Sequence, residues 1–76
     1  MDKVIVTMIY SDQEFDMELT ANAKIEQIKP AIAEALRRKG VYLPETFRLV
    51  GSGRPLEEAG TLFENGIWDG GYLRII

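Results

Sequence analysis

Residues 3–20 read KVIVTMIYSDQEFDMELT, and residues 24–39 read KIEQIKPAIAEALRRK. The change of period between these two stretches decides the fold class. Lys3 to Tyr10 is dense in β-branched and aromatic side chains, which suit a pleated surface. Glu14 to Thr20 alternates strictly, with Phe15, Met17 and Leu19 on one side and Glu14, Asp16 and Glu18 on the other. Two such runs around the polar break Ser11-Asp12-Gln13 predict a β-hairpin. A two-residue turn at Asp12-Gln13 sets Phe15, Met17 and Leu19 opposite Tyr10, Met8 and Val6. That register buries Val4, Val6 and Met8 and turns Ile5, Thr7 and Ile9 to the other face.

The next stretch changes to helical period. Ile25, Ile28, Ile32, Ala35 and Leu36 recur at three- and four-residue steps and form one apolar stripe, predicting a helix from Lys24 to Lys39. Asn22 stands where an N-cap belongs. Glu26 in the first turn and Arg37, Arg38 and Lys39 in the last complement the helix dipole, and Gly40 supplies a stop. Pro30 conflicts with this pattern: in a helix interior it removes a donor and crowds the preceding turn, so a kink is expected there.

Beyond Gly40 the elements are short. Thr46 to Val50 predicts a third strand with Phe47 and Leu49 inward and Arg48 and Val50 outward. Gly51-Ser52-Gly53 is a turn. Arg54-Pro55-Leu56 can form at most a short edge strand, because Pro55 has no N–H to donate. Thr61 to Gly66 predicts one helical turn capped by Thr61 and ended by Gly66. Asp69-Gly70-Gly71 is a further turn, and Tyr72 to Ile76 a closing strand with Leu73 and Ile75 inward. The whole is one α+β domain spanning 1–76, with one helix and one sheet sharing a core.

Composition narrows function mainly by exclusion. The 76 residues contain no Cys and no His, so disulfides, Cys/His zinc sites, thiol nucleophiles and imidazole acid–base chemistry are all excluded. Ser11 and Ser52 have no His to activate them. A net charge of −3 opposes nucleic-acid binding. No apolar run approaches the ~20 residues of a membrane span. A cytoplasmic protein that binds no cofactor or metal and does not insert into membranes is expected, and Met1 directly ahead of the first strand favours a free-standing one.

The remaining candidates are weak as chemistry. Gly51-Ser52-Gly53-Arg54 is a fragment of a phosphate loop without its last glycine or a following helix, and a plain turn suits it better. Glu57 and Glu58 are neighbours in a loop and face different ways, unlike a hydrolase pair. Trp68, ahead of the Asp-Gly-Gly turn, is a residue type common at interfaces but also at the rim of a small core. The strongest feature is a surface. Ile5, Ile9, Val50 and Ile76, with Arg48, Tyr72 and Arg74 among them, lie on the sheet face that a single helix leaves bare. Ile5, Ile9, Arg48, Val50, Arg74 and Ile76 are therefore the expected partner-binding residues, and no catalytic residue is expected.

Over the whole chain the pattern resembles ubiquitin. The matching segments are Ile25-Glu26-Gln27-Ile28-Lys29, Phe47-Arg48-Leu49-Val50, Gly53-Arg54-Pro55-Leu56-Glu57, Thr61-Leu62, Ile67 and Tyr72-Leu73-Arg74-Ile75. The resemblance implies a β-grasp fold, a mixed sheet of four or five strands on one kinked helix. Two departures narrow it. Ubiquitin-like modifiers end in a flexible Gly-Gly tail, whereas here Gly70-Gly71 precedes the last strand and Ile75-Ile76 lies within it. Leu19-Thr20-Ala21-Asn22-Ala23, the helix with Pro30, and Thr61-Leu62 through Gly66-Ile67 to Asp69-Gly70 resemble instead the YukD/EsaB group. They are also similar to the ubiquitin-like domain of EccD membrane proteins. Gly71 departs from that group, where Asp is usual.

The resemblance implies a bacterial type VII secretion system that exports small WxG proteins. Within it the chain is expected to be an accessory or regulatory binding module that is neither an enzyme nor conjugated. Its expected partners are proteins, such as the secretion ATPase or a membrane component. The alternative is a bacterial ubiquitin-like modifier or sulfur carrier whose Gly-Gly tail lies beyond residue 76.

Overall fold

A computed structural model describes residues 3–76, so the expectation attached to Met1 lies outside the described residues. The element order is β1 (Lys3–Tyr10), β2 (Gln13–Thr20), α1 (Ile25–Arg37), β3 (Leu49–Gly51), β4 (Arg54–Pro55) and β5 (Tyr72–Ile75). The strands form one mixed sheet in the order β2-β1-β5-β3-β4, with β5 parallel to β1 and every other pair antiparallel. The β-grasp expectation holds, with five strands.

The hairpin differs from its expected register in an instructive way. Val6 pairs with Met17 and Met8 with Phe15, because the two turn residues are Ser11 and Asp12 rather than Asp12 and Gln13. Both turn residues have positive φ, 50° and 66°. A two-residue turn of this hand matches the twist of the flanking strands, and short polar side chains tolerate its backbone better than Gln13 would. The strands have slid by two residues, a full side-chain period, so every side chain keeps its expected face.

Helix α1 buries Ile25, Ile28, Ile32 and Leu36, while Ala35 is only half-buried. It runs through Pro30 as one element. Its N-terminus differs from expectation: the N-cap is Lys24, not Asn22, and Gln27 Oε1 accepts the Lys24 N–H at 3.0 Å. The reason is tertiary. The N–H groups of Ile25 and Glu26 donate to the carbonyls of Gly60 and Glu58, so a distant loop satisfies donors that a local cap would otherwise serve. At the other end Gly40 has φ +83°, with Val41 N–H bonded to Leu36 C=O and Gly40 N–H to Arg37 C=O. That is the glycine stop expected from sequence.

The third strand is shorter than expected, because Thr46 belongs to a turn and ladder pairing with β5 begins near Arg48. Arg48 and Ile76 exchange two backbone bonds at 3.0 Å. Thr61 to Gly66 forms the expected single turn. The Thr61 hydroxyl accepts the Glu64 N–H at 3.1 Å, and Glu64 Oε1 accepts the Thr61 N–H at 2.8 Å. Asn65 ties this turn to the preceding loop through Glu57 N–H, Glu57 C=O and Thr61 C=O. The core between helix and sheet is wholly apolar, centred on Val6, Met8, Ile32, Leu36, Leu62 and Leu73, each fully buried. Among the described residues no buried side-chain polar atom lacks a partner.

Candidate docking face

Alternation along the strands decides which side chains the helix covers. On β5, Leu73 and Ile75 point into the core while Tyr72 and Arg74 point out; on β1, Val4, Val6 and Met8 point in and Ile5 and Ile9 point out. Among the described residues no element packs over the outer side. Ile5 is 52% exposed, Tyr72 63% and Ile76 59%, Arg48 and Arg74 are exposed, and Ile9 and Val50 are half-buried. All six residues selected from the sequence lie on this one face. Ile9, Val50, Tyr72 and Arg74 line a shallow depression in it.

Cross-strand pairing ties them into rows. Ile9 is flanked by Glu14 on β2 and Arg74 on β5, and Arg74 by Val50 on β3. In the next row Thr7 lies between Asp16 and Tyr72, and its hydroxyl donates to Asp16 Oδ1 at 2.8 Å. The start of β1 is held by the Asp69-Gly70-Gly71 turn. Asp69 Oδ1 accepts the Ile5 N–H at 2.7 Å, and Gly70 N–H donates to Ile5 C=O at 2.7 Å. Gly71 is constrained by space: a Cβ there would stand 2.9 Å from the Trp68 carbonyl oxygen.

The other candidates separate. Gly51-Ser52-Gly53 is a tight turn with Ser52 and Gly53 at φ 53° and 80°, joining β3 to β4 with no helix behind it. Glu58 pairs with Lys29 at 2.9 Å, while the Glu57 backbone is engaged with Asn65, so the two carboxylates share no site. Arg37 and Arg38 both clasp Glu34, whose carboxyl is held below its ordinary range, chiefly by the hydrogen bond from Arg37. Trp68 is 61% exposed and stacks on Phe63 with ring centroids 4.9 Å apart.

Sequence reasoning missed two features. One is the position of the outward acidic column of β2: alternation sets Glu14, Asp16 and Glu18 on one side, but that they flank the apolar face beside Ile5 and Ile9 follows only from the pairing of β2 with β1. The other is a groove of about 380 Å³ between α1 and the 43–47 loop, lined by Pro30, Ala33, Leu43, Pro44 and Phe47, with Lys29 set 5.1 Å over the Phe47 ring. No local signal announces it, because its walls are distant in sequence.

With this geometry described, comparison with known proteins is informative. The family model described as "WXG100 protein secretion system (Wss), protein YukD" matches residues 3–75. The chain belongs to the YukD family. No curated protein matches it. Among solved structures, the EccD5 ubiquitin-like domain from Mycobacterium xenopi is 24% identical with a TM-score of 0.77, covering 97% of this chain and 92% of that one. The ubiquitin-like domain of the Mycobacterium tuberculosis type VII secretion system protein ECCD1 is 19% identical with a TM-score of 0.82, covering 100% and 99%. Caldiarchaeum subterraneum ubiquitin is 23% identical with a TM-score of 0.75, covering 97% and 91%. These likenesses establish the shared ubiquitin-like fold, and the YukD match ties the chain to type VII secretion. Among the described residues no helix is long and apolar enough to cross a membrane.

Proposed function

We propose that this YukD-family chain is a non-catalytic docking module of a bacterial type VII secretion system. In this reading residues 1–76 act as one ubiquitin-like domain in the cytoplasm, in an accessory or regulatory role, recruiting a protein partner such as the secretion ATPase or a membrane component. The observation that carries the reading is the bare sheet face, where Ile5, Ile9, Val50 and Ile76 are gathered beside Arg48 and Arg74. Apolar contacts at its centre supply affinity, and the arginines orient polar or acidic groups at its rim. The absence of His and Cys from the sequence supports a role without nucleophilic or imidazole chemistry.

Conjugation through Gly70-Gly71 is disfavoured by topology. Cleavage after Gly71 would remove all of β5, the strand that joins β1 to β3, and with it Leu73 and Ile75, 0% and 4% exposed. The resulting chain would lose the middle of its sheet.

The test is titration against the cognate secretion components beside thermal melts. Val50→Asp, and the pair Arg48→Glu with Arg74→Glu, are expected to weaken binding with little change in Tm. Leu73→Ala, which empties a fully buried site, is expected to cost about 2–5 kcal/mol and to unfold much of the population. Unchanged binding by the folded Val50 and arginine variants would refute this face as the docking surface.

A further inference from the structure

The outer sheet face is polarised across its strands. Reading one row from the β2 edge inward, the residues are Glu14, Ile9, Arg74 and Val50: acidic, apolar, basic, apolar. The adjoining row reads Asp16, Thr7, Tyr72. Among the described residues neither Glu14 nor Arg74 has an ion-pair partner, although Lys3 pairs with Glu18 and the helix and loop carboxylates Glu34 and Glu58 are engaged. The two unpaired charges are held apart within the chain by the width of strand β1. Adjacent strands lie ~4.8 Å apart, so Glu14 and Arg74 stand about 10 Å from each other at the backbone.

Such a row is complementary to its own image. A two-fold axis lying in the face and running along β1 returns each position at the same height but mirrors the strand order about β1. Glu14 of one copy then faces Arg74 of the other, Arg74 faces Glu14, and Ile9 meets Ile9 on the axis. In the next row Asp16 comes opposite the Tyr72 phenol, and on the far side of it Ile5 meets Ile5, 52% exposed in the single chain. One symmetry operation therefore covers the apolar centre and pairs both charges. It is the isologous arrangement of a closed dimer, with two sheets stacked ~10 Å apart.

We infer that the outer sheet face is a homodimerisation surface, whose occupant is a second copy of this chain related by a two-fold axis along β1. β2, β1 and β5 of one copy lie over β5, β1 and β2 of the other, while β3 with Val50 falls beyond the other copy's β2 edge. Three strands across and about six residues along give a footprint of roughly 14 by 20 Å on each copy. Over both copies that is roughly 560 Å² of sheet, well below the ~1,200–2,000 Å² buried in stable complexes. The dimer is accordingly weak and reversible, forming as concentration rises and loosening with salt as the exposed Glu14–Arg74 pairs are screened. It covers Ile5, Ile9 and Arg74 of the face assigned above to the secretion partner, so partner and second copy compete. The inference does not depend on that assignment.

Sedimentation velocity over a concentration series in low salt tests it with the chain alone. The wild type is expected to show reversible monomer–dimer exchange. Glu14→Arg and Arg74→Glu each set like charges face to face at two symmetry-related positions and are expected to weaken dimerisation at least tenfold. Mixing the two variants restores both attractions, so the mixture is expected to dimerise within about threefold of wild type, as is the double variant carrying both changes. A strictly monomeric wild type at millimolar concentration would overturn the proposal. So would a dimer indifferent to both single variants, which assigns self-association to another face, or a mixture no better associated than its components. Circular dichroism of each variant confirms that loss of dimer is not loss of fold.

Discussion

Replacing Pro30 by Ala is expected to stabilise the domain by about 1–2 kcal/mol. Pro30 is the sixth residue of α1, so its missing N–H is an interior donor that would otherwise reach the Glu26 carbonyl, not one of the free donors of the first turn. Proline in a helix interior is about 3 kcal/mol worse than alanine, which sets the upper bound. Two terms reduce it. The ring is exposed and only borders the groove beside Ala33 and Leu43, so trimming it loses roughly 30 Å² of apolar contact, about 0.8 kcal/mol. Proline also stiffens the unfolded chain, an advantage of about 0.4–1 kcal/mol that the variant gives up. The remainder corresponds to a rise in Tm of roughly 5–15 °C for a domain of this size. Thermal melts and urea titration at 25 °C measure it independently. A lower Tm for Pro30→Ala would refute the reasoning, because the ring would then be a packing element of the groove and not a tolerated defect.

Two further outcomes can be checked on the same instruments. Asn65→Ala removes three hydrogen bonds joining the 57–61 loop to the turn that follows, and is expected to lower stability by about 1.5–3 kcal/mol in urea titration, with Asn65→Asp recovering only the bond accepted from Glu57 N–H. Glu34→Gln probes the clasp with Arg37 and Arg38. Because the folded carboxyl is held below its ordinary value, its contribution is present above that value and is lost as pH falls through the folded pKa. The Tm difference between wild type and Glu34→Gln is therefore expected to be small at neutral pH, given the exposed site, and to vanish in acid.

Period was the legible part of this molecule. Alternation in Phe15, Met17 and Leu19, and the three- and four-residue steps of Ile25, Ile28, Ile32 and Leu36, are local, and burial follows them directly. They identified the hairpin, the helix, the inward set and, by complement, all six residues of the outer face. The same local logic located the glycine stop at Gly40, the capped turn at Thr61 and the edge position of Pro55. Even the hairpin slip cost nothing in face assignment, because a shift of two residues preserves alternation.

The folded chain decided what depends on residues far apart in sequence. Lys24 rather than Asn22 begins the helix because the carbonyls of Glu58 and Gly60 come to its first N–H groups. The third strand starts near Arg48 because Ile76 is its partner there. Most of all, sequence placed Glu14, Ile9, Arg74 and Val50 outward one by one, but not in one row. Their order across the sheet requires the parallel pairing of β1 with β5, the first and last strands of the described chain, and local periodicity carries no information about which strands become neighbours.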